Sequence, residues 1–234
     1  MTKVNFTYDI KKDSWSWVLI AKDKNVWGLD WRQQIAHISN ELLEKIEKVD
    51  FNNAQGIVED YIKTNSKTQY KNKVMLSEIE ALKKSWNEIE DDYMNILSKV
   101  TQKSIFTQNI QCYFTTGLMC PYNDKENWFM VSMWHSIPFS ITTVCHEILH
   151  LQFLHYYREY LISNGLTNTQ IEDIKESLTF LLNEFEFDKI ILCQDNGYPE
   201  HCDFRNKLKD IWSTNKDFKN LIDQSILLLK NGNA

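Results

Sequence analysis

Apolar residues recur at helical spacing through most of the chain. After Trp31, the residues Ile35, Ile38, Leu42, Leu43 and Ile46 follow at steps of three and four or their neighbours. A second series runs through Met75, Ile79, Leu82, Trp86, Ile89, Tyr93 and Ile96. Such spacing lines one face of a helix with core residues, so the first hundred residues read as mostly helical. Residues 15–20, Trp-Ser-Trp-Val-Leu-Ile, are apolar but short, and fit either a strand or a helix start.

The pattern changes near residue 104. Residues 109–116 are rich in β-branched and aromatic side chains and stop at Gly117, and residues 127–134 are similar. A Pro-Tyr-Asn-Asp turn cluster separates them, which predicts two neighbouring strands in a small sheet. Helical spacing returns after Pro138 and continues to the end, with breaks at residues 163–167 and 195–199. Helices, then a small sheet, then helices again give an α+β fold, mostly helical. With no repeat and no Pro-, Gly- or Ser-rich linker, the expectation is one domain over residues 1–234. It would comprise a helical portion, 1–104, and a portion with the sheet and the site helices, 105–234.

Composition narrows the function. Six glycines and three prolines leave little material for a Gly-rich phosphate cradle, and neither G-x-G-x-x-G nor G-K-[ST] occurs. A net charge of −6 argues against a nucleic-acid binder, which needs a basic face to displace counterions. No run of about eighteen apolar residues is present to cross a bilayer, and the first residues lack the apolar core of a signal peptide. The five cysteines are irregularly spaced and form no C-x-x-C pair. A cytoplasmic protein with reduced thiols and no membrane partner is expected.

The informative segment is Cys-His-Glu-Ile-Leu-His at residues 145–150. On a helix, His146 and His150 lie one turn apart on one face and can reach one metal ion. Glu147 sits about 100° round, beside the metal, where it can take a proton from a polarised water. Chance alone produces H-E-x-x-H in a chain of this composition in roughly 1% of cases. The motif also lies within a strong helical pattern, and Thr143, Phe153 and Tyr157 share the face of the two histidines. The bland alternative is a helix with two core histidines and a surface glutamate.

Zinc needs a third protein ligand and an open fourth position for hydrolysis. His155 lies on the far side of the helix and is rejected. Two glutamates follow on a helix that starts at a capping box over residues 167–170 and is expected to run to about Leu192. Glu184 falls on a polar stripe with Asp173, Ser177 and Asp188. Glu176 falls beside Phe180, Asn183 and Phe187, on an apolar stripe where a carboxylate needs a partner such as a metal. Glu176 is therefore the favoured ligand and Glu184 the alternative. His201, Tyr198 or His135 could donate to a developing oxyanion, with His201 taken forward as the catalytic candidate.

These residues resemble the gluzincin class of zinc metallopeptidases: His146, Glu147 and His150, a glutamate on a second helix, and a strand just before the motif helix. The likeness covers roughly residues 105–192. The wider string, with Cys-Pro-Tyr, the strand at 127–134, the motif, Lys-Glu-Ser-Leu-Thr and Gly-Tyr-Pro-x-His, is also similar to a group of bacterial H-E-x-x-H proteins. The resemblance implies a zincin-like fold, a Zn2+ cofactor, and a peptide or protein substrate. It also implies that residues 128–134 act as the sheet edge that pairs with an extended substrate. Two other readings stay open: a non-catalytic, zinc-stabilised binding protein, and a hydrolase of non-peptide amides or esters.

Overall fold

Ser39 and Asp50 open two helices by accepting backbone N–H groups three residues on, Leu42 N at 3.2 Å and Asn53 N at 3.1 Å. These are the side-chain caps that free helix N-termini need. The computed structural model describes residues 2–22 and 39–232, the side chains of 66–70 and 72 apart. Much of the series around Trp31, Ile35 and Ile38 therefore lies outside the described residues.

The described residues form a mostly helical α+β arrangement with one four-stranded sheet, divided between two compact units. The chain crosses between them three times after its first few residues: one unit comprises Val4–Trp86 and Asn109–Ser140, the other Met1–Lys3, Asn87–Gln108 and Ile141–Ala234. No helix among the described residues is long and apolar enough to cross a membrane.

The first unit holds strand β1 (Lys3–Tyr8) and helices α1 (Ile10–Lys22), α2 (Asn40–Glu47), α3 (Phe51–Thr64) and α4 (Ser66–Asn87). It also holds strands β2 (Asn109–Thr115), β3 (Tyr122–Asn123) and β4 (Trp128–Ser132). Residues 15–20 are helical, within α1. Trp17, Val18 and Ala21 of α1 pack with Leu42, Ile46, Ala54, Val58 and Ile62 of α2 and α3 as one buried cluster. Asp13, fully buried, ties α1 to the end of β2. It accepts from Thr115 Oγ1 at 2.8 Å, Thr116 N at 2.7 Å, Thr116 Oγ1 at 2.8 Å and Tyr8 OH at 3.1 Å. Burial raises its pKa, and these four donors oppose the rise.

Strands β2 and β4 are neighbours, as the sequence predicts, and they run parallel, from Gln111 opposite Trp128 to Thr115 opposite Ser132. The sheet order is β1-β2-β4-β3. This corrects the expectation that residues 128–134 form a sheet edge. β3, within the predicted turn cluster, pairs antiparallel with β4 at Tyr122–Phe129 and Asn123–Trp128, and Met130 N donates to Pro121 O at 2.9 Å. All five β4 residues are buried. A continuous apolar run such as Trp-Phe-Met-Val is the mark of a strand covered on both faces, not of an edge.

The second unit contains α5 (Glu90–Thr101), most of α6 (Ile137–Ser163), α7 (Asn168–Ser177), a 3₁₀ turn (Leu178–Asn183) and the short α8 (Phe185–Asp188). A second 3₁₀ turn (Pro199–His201), α9 (Cys202–Thr214) and α10 (Phe218–Lys230) complete it. Helix α6 ends at Gly165, whose φ of 81° suits glycine. Gly165 N donates to Ile162 O and Leu166 N to Leu161 O, the paired bonds of a Schellman cap. Thr167 and Gln170 then form the predicted capping box of α7. The helix expected to reach Leu192 stops at Ser177. From Leu178 to Leu182 every residue is buried, and the tighter 3₁₀ turn gives way to extended backbone at Glu184. The side chain of Asn183 exchanges hydrogen bonds with the backbone of Asp195 at 2.7 and 2.8 Å, which holds the chain in this turn.

Candidate metal centre

Helix α6 is buried almost all round between Ile141 and Leu154. Its apolar side chains fix it in the second unit, each contributing about 1.5–3 kcal/mol on full burial. Tyr93 of α5 adds a polar anchor, donating its OH to Cys145 O at 2.5 Å, one residue before His146. The histidine ligand candidates thus stand on an element held from several sides, as a pre-organised site requires. Their rings lie 4.1 Å apart, centroid to centroid. His155, rejected from the sequence, is exposed and lies tilted beside the ring of Phe106.

Glu176 comes from the last turn of α7 and is 3% exposed. Its Oε2 lies 3.5 Å from His146 Nε2 and 3.6 Å from His150 Nε2. The ligand atoms of His146, His150 and Glu176 all fall within 4.8 Å of one another. Donor atoms around a tetrahedral zinc, at about 2.0–2.2 Å each, stand about 3.3–3.6 Å apart, so the two measured separations suit that ion. Two imidazoles and one carboxylate are also a common zinc donor set. A further sign of fit is that Glu176 Oε2 is buried with no hydrogen bond. A buried anionic oxygen whose nearest donors are imidazoles at 3.5 and 3.6 Å is poorly compensated unless a cation sits between them.

Glu184, the alternative ligand, is not part of this group. Its side chain pairs with Lys216 at 3.5 Å. Glu147 lies where the motif puts it, next to the ligands but turned aside, with Oε2 3.7 Å from His150 Nδ1. That oxygen too is buried without a hydrogen bond.

One contributor is not visible as a site residue in the sequence. Asp195 Oδ2 lies 2.6 Å from His146 Nδ1. This bond sets the ring so that Nε2 points to the other two ligand atoms. Asp195 is itself held: Oδ1 accepts from Thr179 Oγ1 at 2.8 Å, Arg205 Nη2 at 3.0 Å and Gly197 N at 3.2 Å. Arg205 Nη1 also bonds Thr179 Oγ1. The segment at 195–199, a simple break by composition, therefore carries a carboxylate that orients His146.

The charges are strongly coupled. Burial works against a charged His146, but Asp195 and Glu176 raise its pKa well above the usual histidine value. His150 is pushed well below that value by burial and by the charge on His146. Burial would raise Glu176, yet His150, Lys175 and His146 hold it well below the carboxylate range. Burial lifts Glu147 to about 8. In the metal-free protein this keeps Glu147 protonated at neutral pH, and a cation held beside it would favour the ionised form that a general base needs.

Of the oxyanion candidates, His201 is buried, with Nε2 3.2 Å from Asp173 Oδ1. Asp173 is one helical turn before Glu176, so His201 stands beside α7 and outside the three-residue group. Tyr198 precedes it, with ring centroids 6.2 Å apart. His135 belongs to the other unit, where its ring meets Phe139 at 4.6 Å and burial lowers its pKa to about 4. All five cysteines are free, and Cys145 is buried, its thiol raised well above its ordinary value by desolvation.

No family model, no curated protein and no solved structure matches the chain.

Proposed function

We propose that the protein is a zinc-dependent hydrolase of the gluzincin type, acting on peptide bonds. The observation that carries this reading is the convergence of His146, His150 and Glu176 with a buried Glu147 beside them. A structural metal site has no need of a buried carboxylate beside its ligands. Bound zinc would supply Lewis acidity at the scissile carbonyl and a lowered pKa for water.

The protein's own residues do the rest. His146 and His150 present Nε2, with His146 fixed by Asp195. Glu176 presents Oε2. Glu147, buried beside the ligands and ionised once a cation sits next to it, accepts a proton from the attacking water and returns it to the departing amine. His201 is the proposed oxyanion donor, positioned from the turn before α9. A zincin-like fold and a peptide or protein substrate belong to the same proposal.

The test is cleavage of a mixed peptide library by zinc-loaded protein at neutral pH. Wild type is expected to cleave, and Glu147→Gln to keep its zinc while losing about 10²- to 10⁴-fold in rate. Equal cleavage by the two proteins would remove Glu147 from the mechanism and leave a zinc-binding scaffold.

A further inference from the structure

We propose that Lys175 is a positioning residue of this centre: its ammonium occupies one oxygen of Glu176, so that the carboxylate meets a metal through the other oxygen alone. The inference rests on the reading of His146, His150 and Glu176 as metal ligands.

Three observations carry it. The Lys175 side chain is wholly buried, at 0% exposure. Its Nζ lies 3.0 Å from Glu176 Oε1 and 2.6 Å from Glu172 Oε2. The other oxygen of Glu176, Oε2, is the one that faces both imidazoles. The two oxygens of one carboxylate are thus divided between an ammonium and the ligand cluster.

Packing alone does not call for a lysine here. Four residues after Ile171 on α7, Lys175 shares the side of the helix that carries Ile171, Ile174 and Leu178, all fully buried. An aliphatic residue would fill that place without the cost of desolvating a charge. Glu172 gives the ammonium a second anchor from nearer the surface, with 29% of its side chain exposed. Two carboxylates fix the ammonium from two directions, and it in turn fixes Glu176.

The chemical consequence concerns the fourth position. A carboxylate with both oxygens available can chelate a zinc-sized ion and fill the place that hydrolysis needs open. With Oε1 engaged by Lys175, Glu176 donates a single oxygen. The ammonium also offsets the negative charge of Glu176, so less of the metal's own charge is neutralised and its pull on a carbonyl is stronger.

Cobalt(II) reads this directly, because four-coordinate cobalt absorbs visible light far more strongly than five-coordinate cobalt. Wild type is expected to take up one cobalt with an intense four-coordinate band. Lys175→Met should still bind cobalt, but with band intensity per bound ion reduced by about twofold or more as Glu176 chelates and the ion becomes five-coordinate. An unchanged band in Lys175→Met, with cobalt bound, would overturn the role of Lys175 while leaving the metal centre intact. No cobalt or zinc binding by wild type would overturn the centre itself, and this role with it. Should Lys175→Met fail to fold, X-ray absorption at the zinc edge of wild type decides. One carboxylate oxygen in the coordination shell supports the assignment, and two at equal distance overturn it.

Discussion

His146 Nδ1 and Asp195 Oδ2 stand 2.6 Å apart across 49 residues of sequence. The bond assigns the two nitrogens of one ring different tasks, Nδ1 to the protein and Nε2 to the ligand cluster. Arg205 and Thr179 hold the aspartate from behind, so the ring's orientation is set by a chain of buried polar contacts.

Asp195→Asn should therefore weaken zinc binding by about 10- to 100-fold, the usual cost of losing a carboxylate that orients a ligand histidine. Competition with a chromophoric chelator measures it. An affinity equal to wild type would mean that the ring is oriented without Asp195.

Metal binding should release protons. In the metal-free protein His146 is held protonated at pH 7, since Asp195 and Glu176 outweigh the burial that opposes its charge. Its charge pair stabilises the metal-free fold fully below about 6.5, and that contribution is lost as pH rises through the raised folded value. Zinc needs the neutral ring, so its affinity should climb with pH over the same window. Calorimetric titrations at pH 7 in buffers of different ionisation enthalpy should find about one proton released per zinc from this group. A value of zero would contradict a protonated His146.

Glu147 has the opposite chemistry and a similar sign. Its pKa rises from 4.5 to about 8 on folding, chiefly through burial. Between these values the folded state keeps a proton that the unfolded state has lost. The metal-free protein should thus lose stability as pH rises from about 4.5 to about 8, by on the order of 5 kcal/mol from this group. Urea unfolding of metal-free Glu147→Gln should show a flatter pH dependence and greater stability than wild type at pH 8.5. Parallel curves for the two proteins would show that Glu147 ionises freely in the fold.

The sequence made part of this legible and hid the rest for physical reasons. The motif could be read because α-helical periodicity reports which residues share a face, and α6 runs unbroken through it. The stripe that favoured Glu176, through Phe180, Asn183 and Phe187, instead extends past Ser177, where α7 stops. Beyond it the 3₁₀ turn changes the angular step, so neither that stripe nor the one that included Glu184 has a counterpart in space. Strand β3 was hidden by its length of two residues inside a turn-like cluster, and with it the fact that β4 is no edge. Asp195 was hidden because its role depends on a long-range bond that no local pattern encodes. Lys175 did leave a signal: a charge on the apolar side of α7, between Ile171 and Leu178, asks for a buried partner.

The central claim is that His146, His150 and Glu176 hold one zinc ion. Metal content by elemental analysis, after equilibration with limiting zinc and desalting, tests it most directly across four proteins. Wild type and Glu184→Gln should each retain about one zinc per chain, while His150→Ala and Glu176→Gln, each lacking one of three protein ligands, should retain little. Zinc retained in full by Glu176→Gln but lost from Glu184→Gln, or absent from wild type, would contradict the account.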